Sequence, residues 1–438
     1  MAGFLKGMAG STAAFNYLSQ FATGQLLLQL VNVLNGFFLL RWLSVPEQAK
    51  FSVAFSIQTL VLSLSDLGFT GSIIALVGSR IHDQEKIGAY IRSARVFRTY
   101  LFFGSCAITL LLLPAIIEVQ AWSYVELAIM MVPVLLAVFW QADCSLYDST
   151  LVMHRKMREL YLPQVLISGV KLTINFVLYL GGIIGSFTTL TVNAIALLAT
   201  GRVFRKKALP YVSFTRTDVK PEMKEMFSYL KPLLPSLIFN ALYGQIQILI
   251  ISFFGNTSNI AEVAALGRLA QLFIFLNTLN LVVVSPYVAK LDSPLLTKKY
   301  FQILSGGILM ITFIYGLSSL IPEFFLFLIG PKYSHLKPEL HLMVLNACLA
   351  YFGALLWTMH SARKWVFWWG TWSYMICVVM CQCIGIVIFD VGTTHGVLQL
   401  SALTLSVMLL VHTLTAVMGF NSLKRHMTQP RFPEKHHA

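Results

Sequence analysis

The sequence predicts an all-α integral membrane protein with about 12 transmembrane helices. Hydrophobic residues make up 57% of the chain and charged residues only 11%, whereas a typical soluble domain has about 25% charged residues. The apolar residues fall in long runs, and the run Phe51–Gly78 exceeds the roughly 20 residues that cross a ~30 Å hydrocarbon core. Basic residues concentrate at alternate junctions between the runs, which is typical of a multi-pass protein with a fixed orientation.

The apolar runs give the order of the predicted spans. The first run contains Asn and Gln and no small-residue cleavage site, so we expect a retained helix rather than a signal peptide. The sequence identifies each span better than it identifies the residues at which the span begins and ends. The predicted spans are approximately 16–40, 50–78, 98–117, 124–146, 160–181, 183–201, 232–254, 261–289, 299–321, 339–361, 366–389 and 395–420.

The distribution of Lys and Arg predicts the orientation. About 26 of them lie at the even-numbered junctions and in the tail, and about four lie on the other side. The positive-inside rule therefore predicts that both termini are cytoplasmic. The four basic residues on the other side are Arg41, Lys50, Lys332 and Lys337.

The polar stretch Arg202–Lys231 divides the chain into two blocks of six spans. Apolar residues in its second part follow helical spacing, which predicts an amphipathic helix on the inner membrane surface, and segment 81–97 has a similar pattern. Two blocks with equal span numbers and the same orientation are expected to enclose a central cavity. The predicted domains are an N-terminal six-helix bundle at 1–204, a cytoplasmic linker with an amphipathic helix at 205–231, a C-terminal six-helix bundle at 232–422 and a cytoplasmic tail at 423–438.

Asp66 lies inside the run Phe51–Gly78. An aspartate at that depth costs roughly 2.5 to 3.5 kcal/mol unless it faces protein or a wet cavity. Asp66 is therefore a candidate functional residue, which we expect to act in ion coupling, with H⁺ and Na⁺ as the candidate ions. A structural carboxylate that caps or bonds a neighbouring helix around Gly68 and Gly71 is the alternative.

Two predicted helices carry a stripe of polar residues on one face. Such stripes either line a cavity or pack against neighbouring helices, and the sequence leaves both readings open. The first stripe is Gln25, Gln29, Asn32 and Gly36, and the second is Asn240, Gly244 and Gln247. The candidate substrate-binding residues taken from them are Gln29, Asn32, Asn240 and Gln247.

Short motifs in both halves carry a family resemblance. The turn and second span contain Arg41, Leu43, Pro46 and Phe51, followed by Asp66, Leu67, Gly68 and Phe69. The eighth span contains Arg268 and a late proline, Pro286, followed by Ala289. With these residues the chain resembles the polysaccharide flippases of the multidrug/oligosaccharidyl-lipid/polysaccharide (MOP) exporter superfamily. It departs from the usual turn in having Lys50 and Phe51 where Tyr-Gly or a similar pair is common.

The resemblance implies a MATE-like fold, with two six-helix bundles around a central cavity. It also implies a flippase in the bacterial cytoplasmic (inner) membrane that works by alternating access. The implied substrate is an oligosaccharide linked to undecaprenyl pyrophosphate, which moves from the cytoplasmic to the outer leaflet. The implied process is cell-surface polysaccharide biosynthesis, such as lipopolysaccharide O-antigen, with membrane lipids and other polysaccharide-assembly membrane proteins as partners.

Two basic residues inside apolar spans, Lys171 and Arg268, fit such a substrate. A pyrophosphate in a low-dielectric interior needs fixed positive charge, and a guanidinium contacts phosphate oxygens through a bidentate fork. We therefore predict that both residues bind the substrate head group. Alternatively, they extend to the membrane surface or neutralise carboxylates such as Asp143, Asp148 or Glu262.

Two other function classes are alternatives to a flippase. An ion-coupled multidrug or metabolite exporter of the same superfamily is the alternative, although cationic substrates favour acidic and aromatic cavities. A membrane enzyme of polysaccharide assembly needs a large external loop, and neither 118–126 nor 323–339 offers the room. The chain has no phosphate-binding loop for ATP and no cysteine cluster with metal-ligand partners. We therefore predict no enzyme activity, no cofactor, no metal and, despite the net charge of +14, no nucleic-acid partner.

Overall fold

The fold is known from a computed structural model that describes residues 12–78, 80–215, 218–291 and 293–428. Helices and the turns between them account for these ranges, and no strand occurs within them. The prediction of an all-α protein is therefore confirmed. Predictions for the tail beyond Thr428, including its basic residues Arg431 and Lys435, lie outside the described residues.

Eight helices and one short 3₁₀ turn form the first half of the chain. Loops of a few residues join most of them. The helices are α1 Thr12–Trp42, α2 Val45–Asp66, α3 Phe69–Val77, α4 Gln84–Gln120, α5 Tyr124–Met153, α6 Met157–Leu180, α7 Ser186–Ala208 and α8 Lys220–Leu230, with the 3₁₀ turn Leu209–Tyr211 before α8.

Ten helices form the second half. A π-helical turn, Asn280–Val284, and a 3₁₀ turn, Pro331–Tyr333, interrupt the α-helical geometry. The helices are α9 Leu234–Tyr243, α10 Ile246–Phe254, α11 Thr257–Ala270, α12 Leu272–Leu279, α13 Ser285–Ala289, α14 Ser293–Leu320, α15 Pro322–Ile329, α16 Lys337–Ala362, α17 Trp368–Ile388 and α18 Thr394–Thr428.

Eleven segments of the described chain are long and apolar enough to cross a membrane, and the bent pair α9 and α10 makes a twelfth if it counts as one span. The prediction of about twelve spans is thus confirmed. The predicted span 232–254 is not straight, because α9 and α10 meet at an angle of 51°. Gly244 and Gln245 separate the two helices, and glycine is a poor helix former in a helix interior.

The prediction that segment 81–97 lies as a separate helix on the membrane surface is wrong. Residues 84–97 begin α4, a continuous helix of 37 residues. Its apolar face, with Ile87 and Ile91, is buried in a core that also contains Met226 and Leu230 of α8. The apolar faces of α4 and α8, which were predicted to lie on the membrane, therefore pack against each other.

Spatial proximity divides the chain into two compact units. Unit 1 contains the residues up to Arg268 together with Leu326–Leu336 and Val391–Val397. Unit 2 contains Leu269–Phe325, Lys337–Asp390 and the residues from Leu398 onward. The division into two six-span bundles at 205–231 stays a prediction.

Unit 2 has its own core where α13, α14 and α16 meet. Tyr300 is buried there, and its hydroxyl lies 3.0 Å from Nε2 of the buried His360. The hydroxyl of Tyr351 on α16 donates a 3.1 Å hydrogen bond to Oδ1 of Asn280 in the π-helical turn. A π-helical turn inside a long helix is rare and occurs often at functional sites.

In unit 1 polar contacts hold α1, which carries the first predicted polar stripe. Nδ2 of Asn175 on α6 donates a 3.1 Å hydrogen bond to Oδ1 of Asn35 on α1, and both side chains are buried. At the end of α1, Nζ of Lys332 donates to the carbonyl oxygens of Arg41 (3.0 Å) and Leu43 (2.5 Å). Burial lowers the pKa of the Lys332 ammonium. A cation at these carbonyl groups stabilises the helix end.

The orientation can be tested by cysteine labelling in a variant without native cysteines. Ser123, Ser258 and Gly392 lie at one set of helix junctions, and Gln84 and Ser213 lie at the other set. We expect cysteines at the first three positions to react with an impermeant thiol reagent added outside the cell, and those at the other two to be protected. Gln429, predicted to be inside, lies beyond the described residues. The converse labelling pattern would reverse the orientation and the direction of transport.

Candidate functional site

A polar cavity of about 290 Å³ lies within unit 1, between α1, α5, α6 and α7. Nine of its fifteen lining side chains carry an amide, a hydroxyl or a charge. A cavity of this kind inside membrane-spanning helices is suited to a polar ligand. The lining residues are Leu28, Asn32, Gln141, Cys144, Ser145, Asp148, Gln164, Ile167, Ser168, Lys171, Asn193, Ala196, Leu197, Thr200 and Phe204.

Three helices present these polar residues at helical spacing. Residues separated by four and seven positions lie on the same face of an α-helix. Asn32 and Lys171 were predicted from the sequence as binding residues, and Asp148 as a possible counter-charge. The other polar lining residues were missed, although their spacing was a usable signal. The spaced sets are Gln141, Ser145 and Asp148 on α5; Gln164, Ser168 and Lys171 on α6; and Asn193 and Thr200 on α7.

Lys171 lines this cavity without an ion pair. It lies about 21 Å along α6 from Met157 and about 14 Å from Leu180, so well inside this membrane-spanning helix. Its ammonium group makes no hydrogen bond or ion pair with any residue that the structure describes, and the same holds for the carboxylate of Asp148 in the same cavity. Asp143, another proposed partner, is paired with Arg95 instead, at 2.6 Å. Neutralisation of Lys171 by either aspartate is therefore absent from this conformation.

Arg268 lies within electrostatic range of Lys171, so the two positive charges repel each other. Its side chain packs on α1, where a Cβ placed on Gly36 would lie 3.4 Å from both Cδ and Nη1 of Arg268. Its guanidinium carbon also lies 5.9 Å from the centre of the Phe55 ring. Within the described part of the chain the guanidinium has no hydrogen bond and no carboxylate partner, Glu262 included.

Three other basic residues of the membrane-spanning helices, Lys50, Arg95 and Arg98, do have carboxylate partners. Nε of Arg98 lies 3.5 Å from Oδ1 of Asp66, and Nη2 of Arg95 lies 2.6 Å from Oδ1 of Asp143. Lys50 pairs with Glu126. Lys171 and Arg268 differ from these residues because their counter-charge must come from something other than a described protein residue.

The remaining candidates for substrate binding do not line the polar cavity. Gln29 is half-buried on α1, Asn240 is exposed on α9, and Gln247 is half-buried on α10. The bend between α9 and α10 separates Asn240 from Gln247, so the second polar stripe is not one continuous helix face. The structure thus brings together Asn32, Lys171 and Arg268 from the predicted set.

Asp66 lies at a break in the second span. It is the last residue of α2, and the next two residues, Leu67 and Gly68, have left-handed φ angles of 35° and 81°. Its Oδ1 accepts hydrogen bonds from the backbone N–H (3.3 Å) and the hydroxyl (2.5 Å) of Thr70, in the first turn of α3. The carboxylate therefore caps α3 and also pairs with Arg98. This geometry is the one expected if Asp66 is a structural carboxylate, which was the alternative to ion coupling.

Arg98 begins the predicted span 98–117, at a junction predicted to be cytoplasmic, and the structure buries it. Only 4% of its side chain is exposed, and Nη1 donates to Thr70 Oγ1, Ala142 O and Ser145 Oγ at 2.6 to 3.0 Å. Arg98 thus ties α3, α4 and α5 together. Arg98 continues the helix face of Ile87, Ile91 and Ala94, and this spacing was the available signal.

We expect Asp66→Asn to lower the amount of folded protein, because the buried Arg98 then lacks its counter-charge. The expected loss is about 1–3 kcal/mol, less than for a fully buried pair because Asp66 is 28% exposed. Adding Arg98→Gln should restore part of the loss, because the unpaired cation is removed. Folded protein is measured by fluorescence-detected chromatography and thermal unfolding. Normal abundance of Asp66→Asn, with transport that no longer responds to an ion gradient, would instead indicate coupling.

Known proteins were compared with the chain by sequence and by fold. No protein-family model matches it, and no curated protein matches its sequence. Solved structures do match. An inward-facing multidrug resistance MATE family transporter of the MOP superfamily is 16% identical and covers 91% of this chain and 94% of its own, with a TM-score of 0.63. An outward-facing structure of such a transporter is 18% identical, with 93% and 96% covered and a TM-score of 0.60.

A third similar structure is the lipid II flippase MurJ in an inward closed conformation. It is 13% identical and covers 92% of this chain and 90% of its own, with a TM-score of 0.62. The chain has the MOP transporter fold. The MATE-like fold class predicted from the sequence is thereby confirmed, and the chain is a multi-pass membrane protein of a transporter fold. Because the MOP fold hosts both drug exporters and a lipid flippase, the choice between them depends on the site.

Proposed function

We propose that the protein is a flippase for an oligosaccharide carried on undecaprenyl pyrophosphate. Its direction would be from the cytoplasmic to the outer leaflet of a bacterial inner membrane. The observation that carries the proposal is the pair Lys171 and Arg268, two cations within electrostatic range of each other and without a carboxylate partner among the described residues. Charges inside a membrane protein are costly and are usually functional. An anionic head group supplies the missing counter-charge.

The chemistry of the two side chains suits a pyrophosphate. The planar guanidinium of Arg268 can donate two parallel hydrogen bonds to phosphate oxygens, and the ammonium of Lys171 adds a point charge with three donors. The amide side chains of Asn32, Gln141 and Asn193 line the same polar cavity as Lys171. Amides both donate and accept hydrogen bonds, as sugar hydroxyl groups require.

The transport cycle is proposed by analogy with the fold. MATE transporters of this fold have been solved in inward-facing and outward-facing conformations, which supports alternating access for this chain. Coupling to H⁺ or Na⁺, a role in O-antigen or related lipopolysaccharide biosynthesis, and contacts with other assembly proteins belong to the same proposal. Asp66 belongs to the coupling step only if Asp66→Asn is folded normally, because its contacts with Thr70 and Arg98 favour a structural role.

An ion-coupled exporter of cationic compounds is the second candidate, and one observation favours it. Asp148 faces the polar cavity without a hydrogen bond or ion pair to the described residues, so it could attract a cation. However, Lys171 lines the same cavity and Arg268 lies within electrostatic range of Lys171, and both would repel a cationic drug. The balance of charge therefore favours an anionic substrate.

Removal of the protein from its host separates the candidates. We expect a lipid-linked oligosaccharide to accumulate on the cytoplasmic leaflet, measured by leaflet-specific labelling of extracted lipids. No accumulation together with new sensitivity to a cationic drug would replace the flippase with the exporter. A glycan that crosses normally but remains unpolymerised would indicate an enzyme of polysaccharide assembly.

A further inference from the structure

A second pocket, of about 390 Å³, lies between α4, α5 and α7 and is separate from the polar cavity. Its charged and apolar side chains occupy opposite ends. Arg202 and Arg205 of α7 lie at the end predicted to be cytoplasmic, and Phe103 of α4 and Phe139 of α5 lie deeper along the helices. Eight residues separate Arg95 from Phe103 on α4, which is about 12 Å along the helix axis.

The charged end of the pocket carries excess positive charge. Arg95 is neutralised by Asp143, and Arg98 lies beside Asp66. Arg202 and Arg205 are exposed, and neither makes a hydrogen bond or ion pair with any residue that the structure describes. Two guanidinium groups thus remain for an anionic ligand, and guanidinium geometry matches phosphate oxygens.

The apolar end is open at the surface of the unit. The side chains of Phe103 and Phe139 are 65% and 56% exposed, on membrane-spanning helices. Aromatic surface at this position contacts hydrocarbon chains in a membrane. Trp140 and Phe102 continue the apolar wall. The pocket therefore complements the polarity of an acidic lipid, with a basic end near the membrane surface and an apolar end inside it.

We propose that this pocket binds an anionic phospholipid of the membrane. The phosphate lies between Arg202 and Arg205, and the acyl chains run along Phe103 and Phe139. Basic pockets between transmembrane helices on the cytoplasmic side suit acidic lipid head groups. The bound lipid would hold α4 and α7 together beside α5, and it is distinct from the transported substrate because neither Lys171 nor Arg268 faces this pocket.

Native mass spectrometry of the purified full-length protein tests the site. The probes are phosphatidylglycerol and phosphatidylcholine with identical acyl chains, titrated into delipidated protein. We expect at least one phosphatidylglycerol to be retained with about tenfold or greater preference over phosphatidylcholine. Arg202→Gln with Arg205→Gln should weaken phosphatidylglycerol binding by about 30-fold, since each basic residue near the surface contributes about fivefold.

The matched control is Lys206→Gln with Lys207→Gln. These residues lie on the same helix and carry the same charge, but they do not line the pocket. The control should retain the preference, and Phe103→Ser should reduce it while leaving the head-group charges intact. Equal binding of the two lipids, or equal loss in the control, would overturn the site. Equally tight binding of glycerol 3-phosphate, which lacks acyl chains, would show a phosphate site instead of a lipid site.

Discussion

Arg268→Ala is expected to lower the rate of flipping by about 100-fold or more, because two charge-assisted hydrogen bonds to phosphate oxygens are lost. The same change should raise the thermal unfolding temperature. Arg268 has no counter-charge among the described residues and repels Lys171, so its removal eliminates a buried, unfavourable charge. Flipping is measured with a fluorescent lipid-linked oligosaccharide in proteoliposomes, and stability by differential scanning fluorimetry.

Control variants separate binding from packing at Arg268. Arg268→Lys should restore only part of the rate, because a point charge replaces a planar fork. Arg158→Ala, at an exposed arginine near the start of α6, should change neither rate nor stability. Gly36→Ala should be tolerated because its Cβ lies in ordinary contact with Arg268 at 3.4 Å, whereas Gly36→Leu should displace the guanidinium and slow transport. Full activity of Arg268→Ala would remove Arg268 from the site.

Lys171→Met should lower the flipping rate by about tenfold, the typical value of one charge-assisted hydrogen bond. Methionine has a similar length and no charge, so folded protein should be at least as stable as the wild type. A structural lysine would behave differently, because its loss would destabilise the protein and leave the rate per folded molecule unchanged. The measurement is the flipping rate per folded molecule, with unfolding temperature recorded in parallel.

Asp148→Asn removes a negative charge from the cavity that Lys171 lines, and so serves as the control of opposite charge. A flippase for a pyrophosphate should keep its rate or gain, since the variant removes a negative charge from the cavity lining. An exporter of cationic compounds should lose activity. A strong loss of oligosaccharide flipping in Asp148→Asn would therefore contradict the assignment of the cavity to an anionic substrate.

The fold was predictable because long apolar runs and the distribution of basic residues depend only on local composition. Lys171 and Arg268 were found for a related reason, since a charge inside an apolar run needs no alignment to be noticed. The burial of Arg98 was missed because it follows from the contact of α4 with Thr70 of α3 and Ser145 of α5. That contact joins residues far apart in the sequence.

The rest of the site depends on tertiary contacts. Each polar residue of α5, α6 and α7 is unremarkable within its own helix, and only the packing of the helices turns the three faces toward one cavity. The break after Asp66 was also missed, although Leu67 precedes a glycine. The left-handed φ of Leu67 is a conformation that a leucine rarely adopts without support, here given by the contacts of Asp66 with Thr70 and Arg98.

The most direct test of the central claim is the affinity of the purified protein for the pyrophosphate head group. Equilibrium binding is measured for an oligosaccharide on undecaprenyl pyrophosphate and for the same oligosaccharide on an uncharged lipid. We predict at least about 100-fold tighter binding of the pyrophosphate form, with most of this preference lost in Arg268→Ala with Lys171→Met. Equal affinity for the two lipids in the wild type, or an unchanged preference in the double variant, would contradict the assignment of these two cations to the substrate.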